Sequence, residues 1–224
     1  MSSILVLTAV DVEARGLARH LGLTGVPESP WPHYRGGVLE VVCVGPRVAQ
    51  LGERASWRLP TLVISAGACG ALAPDLAVGR LVVPEAVIGP NGARLAAAAA
   101  SPLARTGTLL TVADVVNTPS DKARLWIETG AVAIDTESFV ILEWAQALGV
   151  PAAVIRGVSD GATSGVPADL AAVVDPGGRV SRGHALRAML ARPGALADAI
   201  ALGRGTGAAL KTVAAALGRV ARNL

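Results

Sequence analysis

Four acidic side chains sit where an ionised carboxylate is hard to keep. Glu13 follows the apolar run of "ILVLTAVDVEARG". Asp135 and Glu137 interrupt "AVAIDTESFVI". Asp160 closes "VIRGVSDGAT", four residues after Arg156. Ionised acids are rarely left among apolar neighbours unless something pairs with them or uses them. Each acid alone also reads as a helix cap or a surface acid. Three acidic positions just after strands, with an arginine nearby, suit acid–base chemistry on a small polar substrate.

Other motifs carry less. "GVSDG" (157–161) fits the G-x-S-x-G nucleophile elbow, with Ser159 as nucleophile and Asp169 or Asp175 and His184 to follow. The elbow needs a helix straight after the serine, and "DGATSGVPADL" offers Gly and Pro instead. "GRGTGA" (203–208) resembles part of a dinucleotide fingerprint, but no strand precedes it and the third glycine is missing. It reads as a local helix irregularity. His20, His33 and His184 are scattered, and C-x-x-C and H-E-x-x-H do not occur, so no metal site is expected. "SAGACGAL" (65–72) is more informative. Its small residues let backbone approach a ligand, and free N–H groups there can face an anion or a ribose.

The elements that must position these residues alternate between strand and helix. "ILVLTAV" (4–10) reads as a central strand, followed by a helix capped by Asp11 with Ala14, Leu17, Ala18 and Leu21 on one stripe. Residues 25–37 read as a loop, 38–45 as a strand, and 46–57 as a helix opened by Pro46. Residues 61–72 read as a strand running into a glycine-rich turn. Strands are expected at 80–89, 107–116, 131–135 and 151–159, and helices at 119–130 and 137–149, the last with Ile141, Trp144, Ala145 and Leu148 on its core stripe. Residues 92–100 are ambiguous, and the C-terminal part is mostly helical, with Leu210, Val213, Ala214 and Leu217 on one stripe. This order implies one three-layer α/β/α sandwich with a central mixed sheet, its polar residues gathered at the strand ends.

The bulk composition agrees. The 224 residues suit a single domain spanning 1–224, and 52% are hydrophobic although aromatics make up only 3%. No apolar run reaches the roughly 18 residues of a membrane span. The opening segment lacks a basic n-region and reads as a core strand rather than a signal peptide. Cys43 and Cys69 read as reduced core thiols of a cytoplasmic protein. Charge is uneven: residues 176–224 hold eight of the 20 Lys/Arg but one acid, Asp198. A basic helical tail from about 180 fits an acidic surface or partner, or simply a solvated helix face.

Taken in order, these segments resemble the purine nucleoside phosphorylase and nucleosidase superfamily over nearly the whole chain. "ILVLTAVDVEA" looks like its opening strand with the acid, and "SAGACGALAPDLAVGRLVVPEAV" like its glycine-rich strand. "AVAIDTES" looks like the ribose-binding segment, with Thr136–Glu137 where methionine–glutamate is usual. "VIRGVSDGA" looks like the strand of the catalytic aspartate. Within the superfamily, "TPSDKARLWIETGAVAIDTES" and the C-terminal stretch look like hopanoid-associated phosphorylases.

The resemblance implies an enzyme that breaks the N-glycosidic bond of an adenine nucleoside. Asp160 would protonate the departing base, positioned by Ser159 and Arg156. Glu137, with Thr136, would hold the ribose hydroxyls, and Glu13 would activate water. Val115, Val116 and Asn117, with Ser159, would line the base pocket. Asp135 is given no fixed role and reads as a structural acid. Arg47, Gly67 and Ala68 would surround the nucleophile. Phosphate is the expected nucleophile and only co-substrate, acting on adenosylhopane. Ser65 and Ala68, standing where several phosphorylases place phosphate-binding groups, and the nearby Glu13 point toward water instead, as in hydrolysis of methylthioadenosine or S-adenosylhomocysteine. A nucleoside-binding protein without catalysis is a further alternative. The expected partners are a nucleoside, lipid-linked in the hopanoid branch, and further copies of the chain in a homodimer or larger homo-oligomer. Peripheral membrane contact through the basic tail is expected as well, and nucleic acid is not.

Overall fold

The computed structural model describes residues 3–55, 59–165, 177–178 and 195–223. Its centre is one mixed, 11-stranded sheet. Strand β1 (Ile4–Thr8) lies between β4 (Leu39–Cys43) and β5 (Leu62–Ala71), parallel to both. The ten-residue β5 is long enough to serve several neighbours. Its far edge pairs in parallel with β11 (Ala152–Asp160), and its last residues pair antiparallel with β10 (Ala133–Asp135). From β10 the sheet continues through β9 (Thr108–Thr111) and β7 (Ala86–Ile88) to β8 (Arg94–Ala96). At the opposite edge β2 (Thr24–Gly25) and β3 (His33–Gly36) extend β4, and β6 (Leu81–Val82) runs antiparallel to the end of β11.

Alternation along the central strands feeds two cores. Leu5 and Leu7 of β1 face α4 (Ser138–Ala147), packing with Phe139, Ile141 and Leu142. Ile4 and Val6 face the other side. There they meet Ala14 and Leu17 of α1 (Asp11–Leu21) and Leu210, Val213 and Leu217 of α5 (Ala195–Ala221). Helix α3 (Pro119–Thr129) covers a third, smaller cluster around Leu110 and Ile134. Helices on both faces of a mixed sheet make the expected α/β/α sandwich.

Several local expectations change. Residues 67–71 do not turn; they continue β5, because β11 and β10 supply partners for the bare backbone. The expected loop at 25–37 contains β3. The expected helix at 46–57 is a 3-10 turn (Pro46–Val48) and a short α2 (Leu51–Arg54). Arg47 and Val48 both take φ 53°, a conformation that a β-branched residue adopts only when its surroundings demand it. Residues 112–116 leave the sheet after Thr111, and Leu148 is 43% exposed rather than in the core. Asp11 is the first residue of α1 and not its cap; the Glu13 carboxylate instead accepts from the N–H groups of Ala9 and Val10.

The "GRGTGA" segment lies inside the unbroken α5. A Cβ at Gly205 would lie 3.0 Å from the Ser159 carbonyl carbon, and one at Gly157 would lie 2.7 Å from Ala209 Cα. These glycines let α5 cross β11 backbone to backbone, just behind Ser159 and Asp160. Arg204, Lys211, Arg219 and Arg222 stay exposed while the apolar stripe is buried. No helix among the described residues is long and apolar enough to cross a membrane.

Candidate functional site

The centre of the site is an arginine with almost no contact with water. Arg156, on β11 opposite Gly67 of β5, is 1% exposed. Its Nη2 lies 2.8 Å from Asp135 Oδ2 and 3.6 Å from Glu137 Oε2. It also donates to the hydroxyls of Ser65 (2.9 Å) and Ser138 (3.2 Å), and Nη1 reaches the carbonyl of Ala68 at 3.4 Å. Burial works against its charge, but Asp135, Glu137 and Glu13 outweigh that and hold the guanidinium protonated. Asp135 is fixed further by the Thr111 hydroxyl at 2.6 Å and the Ser138 N–H at 3.2 Å.

Glu13 reaches into this cluster from α1. Its Oε2 closes the helix start and its Oε1 accepts from the Ala68 N–H at 2.8 Å. A Cβ at Gly67 would lie 2.7 Å from the Glu13 carboxyl carbon and 2.8 Å from Arg156 Nη1, so only glycine lets both groups meet there. Burial raises the Glu13 pKa, and Arg156 with the Ala68, Val10 and Ala9 amides offsets part of the rise. The rise makes this carboxylate a stronger base than an exposed glutamate.

Glu137 enters from the turn between β10 and α4 and is 5% exposed. Its Oε1 accepts from the Arg47 N–H at 3.3 Å and from the Thr136 hydroxyl. The strained turn at Arg47 is what aims this N–H at Glu137. Burial pushes Glu137 up to about 7; Arg156 pulls against it, while Asp135 and Glu13 push the same way. The Arg47 guanidinium points elsewhere and pairs with exposed Asp114 at 2.5 Å.

Asp160 lies farther along the same bare strand. The β5–β11 register shifts between Val158 and Asp160, so that Asp160 stands opposite Gly70. A bulge of this kind re-aims the side chains that follow it. Asp160 Oδ1 accepts from the Ser159 hydroxyl at 2.6 Å, and that hydroxyl also lies 3.1 Å from the Cys69 carbonyl oxygen. Asp160 Oδ2 accepts from Lys122 Nζ, a side chain 1% exposed on α3. Gly67 and Gly70 thus mark two ends of one strip of β5, about 10 Å apart at strand spacing. The Glu13–Glu137–Arg156 cluster is at one end and Asp160 at the other.

The remaining expected residues fall in the loop between β9 and α3. Val115 is 45% exposed, Val116 packs against the Leu110–Ile134 cluster, and Asn117 is exposed. A Cβ at Gly165 would lie 3.3 Å from the Asn117 carbonyl carbon, so the chain leaving Asp160 passes against this loop.

Arg156 does not touch Asp160; it organises the opposite end, and Ser159 and Lys122 hold Asp160 instead. Lys122 and Ser138 are missing from the sequence reading, and Ser65, read there as standing at a phosphate-binding place, accepts from Arg156. A lysine in the first turn of a helix was the available signal, since a cation there opposes the helix dipole. In the hydrolase reading, Ser159 donates its hydroxyl to oxygen acceptors, and Asp169, Asp175 and His184 lie outside the described residues. Among the described residues, no group of three or more His, Cys, Asp or Glu is placed to hold a metal ion. Cys43 and Cys69 are buried free thiols.

Residues 91–182 match the family model of the phosphorylase superfamily. No curated protein matches the chain by sequence. Among solved structures, a mutant Helicobacter pylori MTAN with 5′-methylthioadenosine in its active site is 16% identical, with a TM-score of 0.73 and 100% of both chains covered. A Neisseria meningitidis 5′-methylthioadenosine/S-adenosylhomocysteine nucleosidase in complex with methylthio-immucillin-A is also 16% identical (TM-score 0.70, 100% of both chains). Futalosine hydrolase of Helicobacter pylori is 16% identical (TM-score 0.72, 100% of this chain and 98% of that one). The family match covers residues 91–182, and over its whole length the chain is similar in fold to these nucleosidases.

Proposed function

We propose that this protein is an N-glycosidic hydrolase acting on an adenine nucleoside. Water, rather than the phosphate expected from the sequence, is the nucleophile. The observation that carries this reading is the position of Glu13. Its carboxylate already takes the Ala68 N–H that a phosphate oxygen would need. It would also repel a phosphate dianion. The nearby cations are committed: Arg156 to Asp135 and Glu137, and Arg47 to Asp114. The relatives of the same fold are a 5′-methylthioadenosine/S-adenosylhomocysteine nucleosidase and a futalosine hydrolase, which adds support.

In this mechanism Glu137 grips the ribose hydroxyls and, as an anion, favours the positive charge that develops on the sugar. The C1′–N bond breaks, its electron pair moves into the purine, and Asp160 delivers a proton to the ring. Water bonds to C1′ and gives its proton to Glu13. Val115 and Val116 form an aliphatic wall for the base, with the Asn117 amide beside it.

The test is product analysis with adenosine, 5′-methylthioadenosine and adenosylhopane, each with and without phosphate. Release of adenine and a free sugar, unchanged by phosphate, supports hydrolysis. A sugar 1-phosphate formed only with phosphate would restore phosphorolysis, and cleavage confined to adenosylhopane would assign the lipid nucleoside.

Homo-oligomerisation and contact with anionic bilayers are part of the proposal too. The exposed Ile127 and Leu148 support the first, and the exposed basic face of α5 supports the second. Sedimentation and flotation with anionic vesicles test them.

A further inference from the structure

Lys122 occupies a place that two preferences oppose. It lies in the first turn of α3, where the helix dipole disfavours a cation, and it is 1% exposed, where an ammonium loses its hydration. Asp160 offsets both. Lys122 Nζ donates to Asp160 Oδ2 and, at 2.9 Å, to the Gly161 carbonyl, so it grips the catalytic acid from two sides. Gly70 makes room: a Cβ there would lie 3.0 Å from Asp160 Oδ2 and 3.5 Å from Lys122 Nζ.

We propose that the proton given to the departing base belongs to the Lys122–Asp160 pair and not to Asp160 alone. This rests on the hydrolase reading above and names the source of its proton. As the C1′–N bond opens, a ring nitrogen takes a proton from Asp160, and Lys122 gives one to Asp160. The pair ends as a neutral amine and a carboxylate, and the amine regains its proton from solvent after the purine leaves. A solitary carboxylic acid would have to be protonated before substrate arrives. The pair keeps a transferable proton while Asp160 is ionised.

Few other groups can serve as the source. The Cys69 thiol of β5 lies in the apolar core cluster with Phe139 and Ile141, and burial keeps it protonated. Arg156 of β11 and Asp135 of β10 are bound to each other. The Ser159 hydroxyl donates to Oδ1. Asp121, also in the first turn of α3, is half-buried and bound to Thr118 and Arg124.

Lys122→Met keeps the packing and removes the proton, whereas Lys122→Arg keeps the charge, but its guanidinium does not deprotonate. Single-turnover base release is measured across pH with a nucleoside that the unmutated enzyme cleaves. Both variants are expected to lose about 100-fold or more in kcat with KM little changed, the range of general-acid catalysis. The Lys122→Met residual rate should fall as pH rises, because Asp160 must then be protonated in advance. A Met variant within about threefold of the unmutated rate, or full activity in the Arg variant, overturns the pair while leaving hydrolysis intact. If the unmutated enzyme releases no base at all, the hydrolase reading fails first and this inference with it. A riboside whose leaving group departs without a proton, such as 4-nitrophenyl riboside, should be cleaved by Lys122→Met near the unmutated rate, and an equal loss on that substrate overturns the pair.

Discussion

Glu13 Oε1 accepts a hydrogen bond from the Ala68 N–H at 2.8 Å, joining the start of α1 to the middle of β5. This one bond fills the backbone site that an anion would need and holds a carboxylate beside the place where a nucleophile would attack. Glu13→Gln keeps the shape but cannot accept a proton from water. It should lower kcat by about 100-fold or more while nucleoside binding changes little, as measured by steady-state kinetics and calorimetry.

Gly67 makes that geometry possible. Gly67→Ala drives a methyl group into the Glu13 carboxyl carbon and Arg156 Nη1, 2.7 and 2.8 Å from the added Cβ. Activity should fall as far as in Glu13→Gln, and thermal melting should show a loss of about 1–3 kcal/mol from overpacking.

Glu137 links activity to pH in one direction and stability in the other. In the proposed role it must be ionised to accept ribose hydroxyls, so kcat/KM should rise with pH through about 7. The folded state keeps the Glu137 proton up to about 7, and the unfolded chain loses it near the ordinary 4.5. Between those values the folded state binds more protons, so stability falls as pH rises. Melting curves of Glu137→Gln should show a flatter dependence over that window.

Arg156 compensates two buried acids through a planar fork. Arg156→Met leaves Asp135 and Glu137 without their cation. It should destabilise the fold by about 3–5 kcal/mol, the cost of breaking a buried pair. Arg156→Lys should recover only part of this, because an ammonium cannot reproduce the contacts to Ser65, Ser138 and both carboxylates. Denaturant titration measures both.

Gly205→Ala would push α5 away from the Ser159 backbone. The expected cost is about 1–3 kcal/mol in thermal unfolding, with a drop in kcat because Asp160 follows Ser159 on the displaced strand.

Much of this was legible in the sequence because apolar runs and capping glycines are local signals. Helix α3 is found at 119–129 where 119–130 is expected, and the acids stand at strand ends as parallel topology requires. The pairing of Asp135 with Arg156 answers why an acid interrupts an apolar run. What stayed hidden depends on contacts between distant segments. The bulge before Asp160 arises from β11 meeting β5, and the left-handed turn at Arg47 arises where its N–H meets Glu137. The burial of Lys122 needs Asp160, which lies 38 residues away. Local periodicity carries none of these.

The central claim is that Asp160 and Glu137 act on the two halves of one purine nucleoside. Its most direct test is Asp160→Asn, comparing base release with binding of an uncleavable nucleoside analogue. The account predicts that release falls by about 100-fold or more while the analogue still binds. Base release at the unmutated rate, or an unmutated protein that binds the analogue yet cleaves no nucleoside, would contradict it.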